Sequence, residues 1–465
     1  MKFAQKLTTL ILCLALCFSL VAVLASCGGE EPSGSDTVVI KYYNGGYGND
    51  WIENIAEEFK DKYPEYKVRL VADANILSSI GSDLENGTDT DLYISHDIQW
   101  QYYADMEWLE PLDDLYAMTN GDGDKFEDRV LDSSLASAKY NGKYYKAHWT
   151  QGVGGIMYNV DLFEENDWAI PTTYAELVAL CDTIVAAAIP NSDESDIVRP
   201  FTWSGKEEWM WDYTVFEWWA QLAGLDKIAD LMEYEDADTF NPADNWAEMK
   251  QAFTLWYDLL TDTANSVNNV TSQNKTASQQ SFILGNAAMI PSAQWLYKEA
   301  GGASADFDMA VMLTPKVAGA QTGNLNYNVG FGDSLVIPAG SDAKEAAKKF
   351  ILFLSEEDNC KSFVQDTDGA YLAFNYAGID MTSVTSGNAF IASINTKLTT
   401  TTNFNLYSQN KITFFNYQKV MPWVNNTYYY KDAYSNKTLN TPTAVMNEVY
   451  ETAQDNWASW ARAAQ

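Results

Sequence analysis

The sequence is poor in positive charge. It carries 29 Lys and Arg against 64 Asp and Glu over 465 residues, a formal charge of −35. A surface of that sign repels phosphate backbones, which excludes nucleic acid as a partner, and it repels acidic lipids. No clustered Arg or Lys builds a local basic pocket, so anionic ligands are disfavoured as well. Histidine is nearly missing: His96 and His148 are the two present, and no Cys/His cluster offers zinc-ligand spacing. Cysteine is also scarce. Beyond residue 27 only Cys181 and Cys360 remain, too few for a disulfide framework. Cys181 lies in the apolar run Leu177–Val185 and reads as a buried thiol. Glycines with dinucleotide or phosphate-loop spacing are absent, and no cofactor is called for.

What is present begins with a leader. Lys2 and Lys6 precede an apolar run from Leu7 to Leu24, a targeting segment that ends Leu24-Ala25-Ser26-Cys27. Small residues before a cysteine resemble the bacterial lipoprotein processing box. On that reading residues 1–26 are removed and Cys27 is lipidated, which places the protein on the outer face of the cell membrane. The alternatives are a secretory signal with a chance cysteine, or an uncleaved anchor. Residues 27–37, rich in Gly, Ser, Glu and Pro, hold nothing that could form a core and read as a flexible tether.

The remainder, 38–465, exceeds one typical core, so two lobes are expected. Its pattern is α/β. Val38–Tyr43 reads as a strand, Asn44–Gly48 as a glycine-rich loop, and Asp50 as the cap of a helix with Trp51, Ile52, Ile55, Ala56 and Phe59 at helical spacing. Lys67–Ala72 reads as the returning strand. This βαβ unit predicts a largely parallel sheet, with ligands at the carboxyl ends of its strands. Asn44 and Tyr47, with Tyr43 beside them, stand at one such end and offer an amide and a stacking face; a plain βα turn is the bland alternative. Asp97 stands at another, following Asp91–Ser95, as a hydroxyl acceptor or a helix cap. Asn120–Asp124 resembles the start of a calcium loop, but Lys125 stands where that loop requires Gly, so a solvated acidic loop fits better.

Aromatics are plentiful, with 16 Trp and 28 Tyr. Trp211, Val215, Trp218, Trp219 and Leu222 recur at helical spacing and read as core. Trp203 and Trp209 fall outside that face and are candidate platforms for a sugar ring, whose apolar face packs on an aromatic while its edge hydroxyls need amides and carboxylates.

The stretch Tyr140–Phe163 reads as two extended runs about a glycine joint, Gly152, Gly154 and Gly155. With Pro171–Leu177, Leu109–Leu115, Phe282–Ile290, Val329–Pro338 and Ala343–Leu354, it resembles the extracellular solute-binding proteins of ABC importers, the carbohydrate-binding group that includes maltose-binding protein. His148 stands where the family often has Pro, and Gly369–Leu372 lacks the proline of the corresponding turn. The resemblance implies a type II periplasmic-binding-protein-like fold: two α/β lobes joined by a hinge, lobe one over 38–147 plus 285–335 and lobe two over 148–284 plus 336–465. It implies a monomer with no enzymatic activity that delivers a neutral carbohydrate to ABC permease subunits. It also implies ligand contact from Trp149 and Gln151 beside the first passage between lobes, Trp295 beyond the strand after Phe282, Asp333 in the second passage, and Tyr371 in the later turn. A binding protein for a peptide or polyol, an anchored glycan-cleaving enzyme using paired carboxylates, and a receptor or adhesin without a transporter are the other readings.

Overall fold

A computed structural model of the chain describes residues 36–192, 194–301, 305–328, 333–406 and 441–463. The leader, Cys27 and nearly all of the tether lie outside the described residues, as do 329–332 of the second passage and 407–426 of the Asn- and Thr-rich stretch.

The first lobe starts as its pattern predicts. Strand β1 (Thr37–Tyr42) is followed by helix α1 (Asp50–Lys62), which turns Trp51, Ile52, Ile55, Ala56 and Phe59 inward. Asn49, not Asp50, occupies the N-cap; Asp50 stands in the first turn, where a carboxylate meets the positive end of the helix dipole. Strand β2 (Lys67–Ala72) pairs with β1 in parallel, and β3 (Leu92–Ser95) pairs with its other side, also in parallel. Asn141 and Gly142 both take positive φ, +49° and +80°, and close a short hairpin before β4 (Ala147–His148).

The chain then leaves this sheet. Strands β5 (Thr150–Gln151) and β6 (Gly154–Asn159) lead to a turn in which the Asn159 side chain accepts from the backbone of Leu162 at 2.8 Å. Helix α2 (Tyr174–Ala187) opens with a capping box between Thr173 and Glu176. Strand β7 (Arg199–Phe201) precedes α3 (Asp212–Ala223), which is buried on every side, and α4 (Ala247–Leu260) packs against it. Next come α5 (Lys275–Ile283), β8 (Ala287–Ala293), the single turn α6 (Leu296–Glu299), β9 (Met309–Val311) and β10 (Leu325–Tyr327). The chain finishes with β11 (Ser334–Val336), α7 (Lys344–Leu354), α8 (Glu357–Asp366), β12 (Tyr371–Leu372), α9 (Ala389–Thr400), β13 (Thr402–Phe404) and α10 (Pro442–Ala463).

Two sheets organise these elements. The first has the order β2-β1-β3-β11-β4, parallel over its first three strands and antiparallel at β11; the second has the order β9-β6-β8-β7. The expected division into lobes needs correction here. Residues 285–335 were expected in lobe one, but β8 and β9 pair with β6 in the second sheet. All seven residues of β8 are buried, so it needs a strand on each side and a cover on each face, and only the second sheet supplies both. Residues 336–465 were expected in lobe two, but α7 packs on β1 and α8 on α1; Phe350, Ile351 and Phe363 fill the core beneath the first sheet with Val38 and Ile40. The chain returns to the second lobe only at α9, which lies against β9. Among the described residues it therefore passes between lobes three times, near 148–154, between Asn328 and Asp333, and near 372–389.

The acidic loop Asn120–Asp124 is a structural clip. Asn120 Oδ1 accepts from the backbone of Asp122 and Asp124 at 3.1 and 3.0 Å, and the Asp122 carboxylate accepts from the backbone of Glu357 at 2.7 Å, at the start of α8.

Candidate ligand-binding cleft

The three passages leave a cavity of about 500 Å³ between the lobes. Its lining falls into two walls with different chemistry.

The wall on the first lobe is built at the carboxyl ends of β1 and β3. The Tyr43 ring lies across Gly45, where a Cβ would collide with it. It meets His96 edge-on, with centroids 4.5 Å apart. His96 Nδ1 lies 3.0 Å from the Asp97 carboxylate. Burial opposes charge on His96, but the hydrogen bond and charge of Asp97, with Asp333 beyond, outweigh it and raise its pKa. Tyr47 is buried and meets Trp149 edge-on at 5.3 Å. Asp333 accepts from the Thr150 hydroxyl, and its carbonyl accepts from the backbone of Trp149 at 3.4 Å. Burial pushes the Asp333 carboxyl up to about 6. Behind this wall Lys146 is fully buried over the Trp100 ring; burial brings its ammonium down to about 7, against the pull of Asp333 and Asp97.

The wall on the second lobe is aromatic with a charged rim. Trp209 and Trp295 lie 6.0 Å apart, Tyr213 and Trp295 5.9 Å, and Tyr213 and Tyr327 6.1 Å. Tyr213 fits because Gly154 is bare; a Cβ there would enter its ring. At the rim Lys275 pairs with Glu299 at 2.5 Å, and Gln279 donates to the other Glu299 oxygen at 2.9 Å. Among the described residues the Nε1 atoms of Trp149 and Trp295 and the hydroxyl of Tyr213 are buried with no hydrogen-bond partner, on side chains that line the cavity. Donors left this way are costly unless something in the cavity accepts from them.

Of the residues singled out in the sequence, Tyr43, Tyr47, Asp97, Trp149, Trp209, Trp295 and Asp333 line this cavity. Four do not. Trp203 is 1% exposed, donates its indole N–H to Ser266 at 3.1 Å and meets Trp256 edge-on: it is core, not a platform. Tyr371 is fully buried, its hydroxyl directed to Asn395 at 3.3 Å. Gln151 donates to the carbonyls of Leu372 and Phe374 at 3.1 and 2.7 Å, which ties the first passage to the third. Asn44 does not line the cavity, and its Oδ1 is buried. The cavity adds His96, Thr150, Asp212, Tyr213, Lys275, Glu299 and Tyr327. His96 and Thr150 adjoin residues already named. Tyr213 stands off the helical face of Trp211, Val215 and Trp218, which was the available signal. Nothing local marks Lys275 or Glu299.

Residues 54–390 match the family model of the bacterial extracellular solute-binding proteins. The chain belongs to that family. Members bind solutes, and the protein is a binding protein rather than an enzyme. The multiple sugar-binding protein of Streptococcus mutans is 23% identical over 356 residues, 76% of this chain and 79% of that protein. The diacetylchitobiose binding protein of Streptomyces coelicolor is 26% identical over 147 residues, only 31% of either chain. Among solved structures, apo RafE from Streptococcus pneumoniae superposes with a TM-score of 0.69 at 18% identity, covering 92% of this chain and 99% of that one. Maltose-bound MalE3 of T. maritima gives 0.65 at 18% identity, covering 90% and 99%. These likenesses establish the expected two-lobed, type II solute-binding fold.

Proposed function

We propose that the protein is the lipid-anchored receptor of an ABC importer, which captures a neutral mono- or oligosaccharide between its lobes and delivers it to permease subunits. The observation that carries the reading is the composition of the cleft. Aromatic faces from both lobes stand beside hydrogen-bonding edges, a pairing that suits the apolar faces and hydroxyl rims of pyranose rings. Several relatives bear names or titles that refer to sugars, among them the multiple sugar-binding protein, the RafE complex with raffinose and maltose-bound MalE3. Four carboxylates (Asp97, Asp212, Glu299 and Asp333) line the cavity against Lys275 and His96, a balance that disfavours uronates and phosphorylated sugars. Ligand touching both walls would stabilise the closed arrangement, which the permease would then recognise. Cys27 would hold the receptor at the membrane through its lipid, with residues 28–37 as the tether.

Calorimetric titration against a panel of neutral oligosaccharides tests this. Micromolar binding, about −8 kcal/mol, with the sugar recovered intact supports the receptor. Failure across the panel redirects the search to peptides or polyols, and cleavage of a sugar overturns the binding-protein reading.

A further inference from the structure

The turn α6 faces two ways. Trp295 and Glu299 line the cavity, whereas Lys298, between them in sequence, leaves the cavity and crosses to the first lobe. Its ammonium donates to the carbonyl of Asp366 at 3.1 Å and lies 3.4 Å from the Asp368 carboxylate and 3.6 Å from that of Asp50. Asp50 begins α1, Asp366 ends α8 and Asp368 follows it; the two helices pack together in the first lobe. The methylene chain of Lys298 runs 3.5 Å from where a Cβ would stand on Gly48. Just before it, Gln294 donates to the Tyr47 hydroxyl at 3.1 Å.

We propose that Lys298 is an interlobe clamp: an affinity-setting positioning residue, outside the cavity, that holds the Trp295 and Glu299 wall against the glycine-rich loop of the first lobe. Each of its ion pairs is partly exposed and adds little to folding. A lobe equilibrium is far more finely balanced than folding, so a contact made in one arrangement and broken in the other shifts populations by its full differential value. The inference deepens the reading of the cleft as a site that closes on ligand, but its first test needs no ligand.

Small-angle scattering of the ligand-free chain, in low and in molar salt, is that test. Salt at 1 M shortens screening to about 3 Å and weakens such pairs. The expected result is a larger radius of gyration for Lys298→Ala at low salt, in the direction that molar salt moves the parent, and loss of that salt response. Lys298→Arg restores the parent curve. Lys60→Ala, which removes a pair with Glu57 confined to α1, leaves it unchanged. Once a sugar is in hand, Lys298→Ala binds it about tenfold more weakly. A Lys298→Ala protein with the compactness and salt response of the parent overturns the clamp, whatever the panel of sugars shows. Should Lys298→Ala fail to fold, Asp50→Asn/Asp368→Asn probes the same contacts from the other lobe, with the same two outcomes.

Discussion

Lys397 and Glu217 meet at 3.0 Å with neither side chain exposed to solvent. Lys397 comes from α9, after the third passage, and also donates to the Gly154 carbonyl at 2.7 Å, at the end of the first. Glu217 accepts from the backbone of Tyr327 at 2.9 Å and lies one turn beyond Tyr213, so the pair fixes two residues of the cavity wall. Lys397→Met leaves a buried carboxylate without its cation and should cost about 3–5 kcal/mol in denaturant unfolding. Lys397→Met/Glu217→Leu should recover much of that loss. A single variant as stable as the parent would show that the pair contributes little.

Trp295 and Trp203 should separate binding from stability. Trp295→Ala removes a face of the cavity and should weaken sugar binding by at least tenfold with a modest change in Tm. Trp203→Ala empties a core site and should cost about 3–5 kcal/mol while the folded fraction still binds. Calorimetry and thermal unfolding of both variants decide, and the reverse pattern would exchange their roles.

Asp333 should write a pH dependence. Its folded pKa of about 6 lies above the ordinary carboxylate value of about 4. Between these values the folded state holds more protons than the unfolded chain, so stability falls as pH rises from about 4 to 6. Above about 6 the full penalty of a buried carboxylate is present. Asp333→Asn should flatten the slope in that window. Binding should move oppositely: the ionised carboxylate is the better acceptor of sugar hydroxyls, so affinity should rise through about 6 in the parent and stay level in Asp333→Asn. Charges on His96, Asp97 and Lys146 bear on the same group, so the difference between parent and variant is the quantity to read.

Gly154→Ala should displace the Tyr213 ring. Overpacking at so closed a site costs about 1–3 kcal/mol, and binding should weaken with it. An unchanged Kd would mean that Tyr213 does not shape the site.

Much of the first lobe was legible because β1, α1 and β2 follow one another and state their periods plainly. The Thr173–Glu176 capping box and the Asn141-Gly142 turn are local in the same way: each is decided by a few adjacent residues. The allocation of later segments to lobes was not. Met309–Val311 and Ser334–Val336 are three-residue strands, both wholly buried, yet one pairs with β6 and the other with β3. Nothing within them names the partner, which is set by where the chain has already been. The cavity shows the same limit. Trp209 and Trp203 stand six residues apart and look alike in sequence, but Trp256 of α4 and Ser266 enclose one and leave the other facing ligand space. Gln151 sits beside the first passage and Tyr371 in the later turn, but their polar atoms are used within the protein.

The interleaving of the lobes has a consequence for how the chain comes to be folded. The second sheet is complete once β9, ending at Val311, has been made, whereas the first sheet, begun at Thr37, waits for β11 at Ser334. The sheet that starts first in synthesis therefore finishes last, while the second lobe still awaits α9 and α10 to cover its core. Until β11 is made, β3 has an open edge, and β4 lacks its partner in the first sheet. A nascent chain with so late a closing strand cannot complete its first sheet before Ser334 has been added.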